Sequence, residues 1–119
     1  MGKLPIGLQL FTLRELLAKD FVSTLEKVAA LGYDGVEFAG YGNLEASEMK
    51  KVLDDLGLVA AGAHVPLDML ENELSAVIDY NLEIGNKFVS CPWVAEERRQ
   101  SASDWKKLAE SLNRIGEET

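Results

Sequence analysis

The sequence predicts an α/β fold in which four short parallel strands alternate with covering helices. Four times an aliphatic residue precedes a glycine that ends an amphipathic stretch, as a left-handed residue after a helix does. Successive glycines are 25, 28 and 31 residues apart, which fits one strand and one helix in each repeat. After each of the first three comes a short apolar run typical of a buried parallel strand. The four pairs are Leu31-Gly32, Leu56-Gly57, Ile84-Gly85 and Ile115-Gly116.

The first repeat is predicted to begin with a strand over residues 4–11, where aliphatic residues alternate with other types. Pro5 lies near its start, where a missing amide donor is tolerated. One or two helical turns are expected over residues 13–19. Asp20 then caps the main helix of this repeat, because an aspartate side chain can accept a bond from the first free amides of a helix.

The second and third repeats follow the same pattern. A strand is predicted over residues 33–39, a loop over 40–43, and a helix over 46–56 with apolar residues on one face. The third strand is predicted over residues 58–64, and Pro66 opens the third helix. The predicted apolar stripe of that helix is Leu67, Leu70, Leu74, Val77, Ile78 and Leu82.

The fourth repeat has a predicted strand over residues 87–91, which Pro92 ends. Ser101 and Asp104 have the spacing of a capping box ahead of a last amphipathic helix. Residues 92–100 form the longest irregular stretch. Because no linker or boundary interrupts the four repeats, residues 1–119 are expected to form a single domain.

Two architectures accommodate four such repeats. One is the (βα)4 half of a (β/α)8 barrel, with parallel strands in the order 1-2-3-4 and helices outside. The alternative is a flavodoxin-like open parallel sheet. Residues Thr12-Leu13-Arg14 follow the first strand in place of a phosphate-binding glycine loop, which counts against a flavin-type open sheet.

Charge and composition exclude several classes of partner. The chain has 20 acidic and 12 basic residues and a formal charge of -8, so it would repel phosphate backbones and is not expected to bind nucleic acid. The apolar runs are strand-sized, so no membrane association is expected. The single cysteine, Cys91, excludes an intrachain disulfide and is compatible with a reducing, cytoplasmic location.

Four polar or aromatic residues at the carboxyl ends of the strands form the predicted substrate pocket, because parallel α/β folds bind ligands there. Glu37 lies in an otherwise apolar strand, and a buried carboxylate needs a partner. His64, the only histidine, could exchange a proton or bind a sugar hydroxyl. Gln9 could bind a hydroxyl group, and Trp93 could stack on a sugar face.

Each of these residues also has a purely structural interpretation. Glu37 could face solvent or pair with a lysine, and His64 and Gln9 could be satisfied by neighbouring side chains. Trp93 could pack beneath the Pro92 turn. No catalytic residue is assigned, and no metal site is predicted, because a structural or catalytic metal usually needs three or four protein ligands.

Several segments together resemble the sugar phosphate isomerase/epimerase family, which has the xylose-isomerase-like TIM barrel and includes relatives of endonuclease IV and inosose dehydratase. They are residues 6–14, 24–37, 63–64, 91–93 and 112–117. The resemblance implies a barrel that binds one divalent metal ion (Mn, Mg, Co or Zn) at its C-terminal face. Its members isomerise, epimerise or dehydrate polyols and keto-sugars, including sugar phosphates. By this resemblance Glu37 and His64 line the substrate pocket, and Trp93 lies on a nearby loop.

The family's metal ligands, typically Glu, Asp, His and Glu, come from strands five to eight and have no counterpart here. The resemblance therefore implies the N-terminal half of a metal-dependent isomerase or epimerase. This chain alone is expected to have negligible activity and to need no cofactor by itself.

The alternative function is structural. A half barrel leaves two open strand edges, so the chain is expected to form a homodimer or to associate with a C-terminal half. A small binding domain with an open sheet is a third interpretation.

Overall fold

Four parallel strands form one sheet, in the order β1-β2-β3-β4, in the computed structural model, which describes residues 3–119. The strands are β1 Gly7–Gln9, β2 Gly35–Ala39, β3 Val59–His64 and β4 Val89–Ser90. This order confirms the predicted (βα)4 half of a barrel. The flavodoxin-like alternative is wrong, because that fold places its second strand outside the first, whereas here β2 lies between β1 and β3.

Six helices cross between or follow the strands. They are α1 Arg14–Lys19, α2 Phe21–Ala30, α3 Ala46–Leu56, α4 Leu67–Asn72, α5 Leu74–Glu83 and α6 Ala102–Glu118. Both predicted caps are present. The Asp20 side chain accepts a bond of 3.0 Å from the Ser23 amide, and Ser101 and Asp104 form a reciprocal capping box at the start of α6.

Three sequence predictions need correction. The first strand ends at Gln9 instead of residue 11, because the Gln9 side chain caps a 3₁₀ turn at Leu10–Leu13. The third helix is two helices, since the backbone leaves helical geometry at Glu73, between α4 and α5. Gly116 does not end a helix, because α6 remains helical through it to Glu118. The other three predicted glycines do have positive φ angles.

The two faces of the sheet carry different residues. Val36 and Phe38 of β2 point to the outer face, where they are fully buried in a core with residues of the helices. Residues of the opposite, inner face are polar or small, except the exposed Val59. In register across the sheet they form the rows Gly7–Gly35–Val59, Gln9–Glu37–Gly62 and Ala39–His64–Ser90.

One irregularity interrupts the pairing of β2 with β3. Val36 pairs with Ala60, but the next residue of β2, Glu37, pairs with Gly62. Ala61 is therefore the extra residue of a β-bulge, a feature that re-aims side chains. Within residues 3–119, no helix has the length and apolar character that crossing a bilayer requires.

Candidate functional site

Gln9, Glu37 and His64 meet at the carboxyl ends of β1, β2 and β3. The Gln9 side-chain amide donates a hydrogen bond to Glu37 Oε1. His64 Nε2 lies 3.3 Å from the same oxygen, close enough for an electrostatic contact. The structure thus places an amide, a carboxylate and an imidazole in one cluster, called here the strand-end triad.

The sheet register explains how residues so distant in sequence come together. Gln9 is directly opposite Glu37, so their side chains project side by side from the inner face. His64 is one row further along, opposite Ala39. From there its ring reaches back to the Glu37 carboxylate.

The orientation of Gln9 is fixed by a second bond. Its Oε1 accepts a hydrogen bond of 2.9 Å from the Phe11 amide, at the start of the 3₁₀ turn. The amide nitrogen therefore faces Glu37. The turn that shortens β1 is thus also the element that aims Gln9 into the triad.

The strand-end triad is accessible to a dissolved molecule. The side chains of His64 and Glu37 are 34% and 36% exposed. The Glu37 carboxylate has Gln9 and His64 as its neighbours, so the predicted need for a partner is met without a lysine. An ionised carboxylate only accepts hydrogen bonds, and it can accept several. Glu37 therefore retains capacity for the hydroxyl group of a ligand.

A cavity of about 470 Å³, the His64 recess, lies beside the triad. It is lined by His64, by the β2–α3 loop over residues 40–44, and by Val65, Pro66, Met69 and Tyr80. The Tyr80 hydroxyl donates to the Leu44 carbonyl at 2.8 Å, which ties the loop to α5.

Two tyrosines, Tyr41 of the loop and Tyr80 of α5, pack together and hold the loop against the helix. The Tyr41 ring packs against the Tyr80 ring with 4.1 Å between centroids, and the Tyr41 hydroxyl bonds with the buried Asn81 amide. Burial raises the pKa of both Tyr41 and Tyr80. Both phenols are therefore neutral at physiological pH and serve as hydrogen-bonding and packing groups.

Trp93 lies in a different place from the other three predicted residues. Its side chain is 67% exposed, and it borders a second cavity of about 380 Å³, the Trp93 recess. The two recesses share only Pro66 among their lining residues. The Cys91 thiol donates a weak bond of 3.5 Å to the Trp93 carbonyl.

An ion pair anchors the loop that carries Trp93. Arg98 donates two hydrogen bonds, of 2.6 and 3.0 Å, to the Glu71 carboxylate of α4, and the Ser111 hydroxyl of α6 donates a third of 2.5 Å. The bonds from Arg98 hold the pKa of Glu71 below its ordinary value. This bidentate contact joins the loop to two helices.

The triad does not form a metal centre by itself. Glu37 and His64 are the types of residue that bind divalent metals, but a protein site usually supplies three or more ligands. No group of three such side chains lies close enough to hold an ion anywhere in residues 3–119.

Two residues of the site were not predicted from the sequence. Ser90 is in register with His64 at the end of β4, and its position immediately before Cys91-Pro92 could have marked it as a strand-end residue. Gly62 lies beneath the Glu37 carboxylate. Nothing in the sequence reveals that neighbour, because the bulge sets the pairing.

Comparison with known proteins gives structural likeness only. No family model matches the sequence, and no match was found among curated proteins. A sugar phosphate isomerase/epimerase from Parabacteroides distasonis ATCC 8503 superposes with a TM-score of 0.70 and 23% identity, covering 98% of this chain and 48% of that one. A xylose isomerase-like TIM barrel/4-hydroxyphenylpyruvate dioxygenase fusion protein superposes with a TM-score of 0.62 and 20% identity, covering 98% of this chain and 20% of that one. The chain thus has the fold of part of a TIM barrel and spans about half of the first neighbour's length.

Proposed function

We propose that this chain supplies the substrate-binding half of a sugar or sugar phosphate isomerase/epimerase, and that the strand-end triad binds hydroxyl groups of the sugar. The observation that carries the proposal is the convergence of Gln9, Glu37 and His64 on one accessible point at the carboxyl ends of three adjacent strands. Ligands of parallel α/β barrels bind at this end. The structural likeness to a sugar phosphate isomerase/epimerase supports the same assignment.

The chemistry of the triad suits a polyol or keto-sugar. Glu37 accepts a hydrogen bond from a sugar hydroxyl, and the ring nitrogens of His64 can donate or accept a further one. Gln9 holds the carboxylate in place from the other side. The His64 recess provides the adjoining space for the carbon chain.

The complete reaction is proposed to be a property of a longer protein. Isomerisation requires proton abstraction beside a carbonyl and stabilisation of the resulting negative charge. The triad provides hydroxyl binding and one imidazole, but the residues described do not assemble a metal centre. We therefore expect the 119-residue chain to bind sugars weakly and to have no measurable isomerase activity.

The binding proposal is tested by titrating the chain with ketoses, ketose phosphates and polyols while recording amide NMR spectra. We expect shifts confined to the ends of β1–β3 and the His64 recess, and their loss in Glu37→Ala. Glu45→Ala is the matched control, because Glu45 is an exposed acid outside the triad. Shifts that persist in Glu37→Ala, or that map elsewhere, contradict the proposal.

A second candidate function is self-association through the edge of the sheet. A groove of about 670 Å³ lies where β4, α5 and α6 adjoin, called here the β4 groove. Four of its apolar side chains are exposed: Leu82 by 71%, Phe88 by 69%, Leu112 by 39% and Val89 by 37%. We propose that a second copy of the chain covers it, since an apolar surface beside an unpaired strand edge favours association.

Sedimentation velocity tests this association. A dimer that dissociates in Phe88→Asp is the expected result. Leu31→Asp is the control, because Leu31 is 76% exposed and lies outside the β4 groove. A wild-type chain that remains monomeric at high concentration contradicts the proposal.

A further inference from the structure

Gly62 occupies the position beside Glu37 in the sheet, and the Glu37 side chain fills the space that a side chain at position 62 would need. A Cβ atom at Gly62 would lie 2.9 Å from Glu37 Oε2 and 3.4 Å from Glu37 Cγ. Contacts under 3.0 Å are essentially never seen for a Cβ atom. The carboxylate thus lies directly over the bare backbone of β3.

The β-bulge is what brings a glycine to this position. If the pairing of Val36 with Ala60 continued without interruption, Glu37 would be opposite Ala61. The extra residue moves Gly62 into that place. The bulge and the glycine together leave a gap on the inner face, between Gln9 on β1 and His64 further along β3.

We infer that Gly62 is a positioning residue of the site: its missing side chain is what allows the Glu37 carboxylate to lie within reach of both Gln9 and His64. The inference rests on the proposed function, because the geometry that Gly62 sets is that of the proposed sugar-binding triad.

A side chain at position 62 is expected to displace the Glu37 carboxylate without unfolding the chain. Gly62 does not have a positive φ angle, so its backbone conformation is open to other residues. The atom in conflict is the far end of a flexible side chain, which can rotate away. Gly35 is the opposite case, since a Cβ there would lie 2.8 Å from the backbone carbonyl oxygen of Val59.

The test is Gly62→Ala, observed through the two ring nitrogens of His64 by long-range ¹H–¹⁵N NMR. His64 is the only histidine, so the spectrum reports this site alone. Spectra of all variants are recorded at the same pH. We expect the ring shifts to change in Glu37→Ala, and Gly62→Ala to reproduce that change. Gly7→Ala is the matched control, because a Cβ there meets its nearest neighbour at an ordinary 3.5 Å on the same face.

Ring shifts in Gly62→Ala that equal those of the wild type overturn the inference. If Gly62→Ala fails to fold, the double variant E37A/G62A decides, because removing the carboxylate removes the conflict. Recovery of the fold in the double variant supports the inference, and continued unfolding overturns it.

The readout needs no sugar, so the two proposals fail separately. A chain that binds no sugar but shows the expected ring shifts loses only the proposed function. If the chain binds sugar through Glu37, but Gly62→Ala changes neither the His64 ring shifts nor the sugar affinity, only the positioning role of Gly62 is contradicted.

Discussion

The outer and inner faces of the sheet differ in how deeply their side chains are buried, and strand β2 contributes residues to both. Val36 and Phe38 are fully buried on the outer face, whereas the Glu37 side chain between them is 36% exposed on the inner face. Successive residues of a strand point to opposite faces, so three consecutive positions have two different environments. Stability and the geometry of the strand-end triad are therefore expected to respond to different substitutions, even within one strand.

The largest expected loss of stability comes from a substitution on the outer face. Phe38→Ala removes a fully buried ring that also packs against Tyr41, with 5.5 Å between centroids. We expect a loss of about 3–5 kcal/mol in the free energy of unfolding, measured with a chemical denaturant. Glu37→Ala, its neighbour on the inner face, should cost less than about 1 kcal/mol. Equal losses from the two substitutions would show that the faces are not energetically distinct.

A medium effect tests whether the glycines of the inner face have different roles. Gly35→Ala forces a Cβ against the Val59 backbone, which cannot rotate away, so we expect destabilisation of about 1–3 kcal/mol. Gly7→Ala should lie within about 0.5 kcal/mol of the wild type, because its surroundings have room. Thermal unfolding monitored by circular dichroism compares the two. A neutral Gly35→Ala would contradict the tight approach of β2 to β3.

The smallest effect lies outside the sheet, at the Arg98–Glu71 ion pair. Because Arg98 lowers the pKa of Glu71 in the folded chain, the pair stabilises the fold above the ordinary value of 4.5, and this contribution is lost as the pH falls below it. The contribution is expected to be small, since the Arg98 side chain is 39% exposed and water screens the pair.

Denaturant unfolding at a series of pH values checks this prediction. The wild type and Glu71→Gln should differ near neutral pH, and the difference should shrink below about pH 4. The His64 ring spectrum should be the same in both proteins, because the ion pair anchors the Trp93 loop and not the triad. A difference in stability that grows as the pH falls would contradict the depressed pKa.

Local sequence signals predicted the repeats and most helix starts. The strand order was predicted from the family resemblance, because the alternation of strands and helices by itself fits both architectures. Asp20 and the Ser101–Asp104 box marked helix starts correctly because a cap depends on residues within three positions. The end of β1 was missed because the Gln9 side chain accepts a bond from the Phe11 amide, a contact that apolar alternation does not reveal. Leu82 was assigned to the apolar stripe of the third helix and is 71% exposed, since no element within residues 3–119 covers that side of α5.

Part of the candidate site could be predicted from where its residues lie in the predicted strands. Gln9, Glu37 and His64 are strand-end residues, and parallel strands bring such residues to one edge. Trp93 belongs to an irregular loop whose course depends on the distant contact between Arg98 and Glu71, so its place could not be derived from local sequence. The bulge that sets Gly62 under Glu37 depends on the pairing of two strands and has no local signal.

The most direct test of the central claim, that the inner face binds a hydroxylated ligand through the strand-end triad, is the NMR titration of the wild-type chain with a ketose. Saturable shifts at Glu37, His64 and the β2–α3 loop, absent in Glu37→Ala, are the predicted result. Shifts that are absent throughout, or that centre on the β4 groove, would contradict the account.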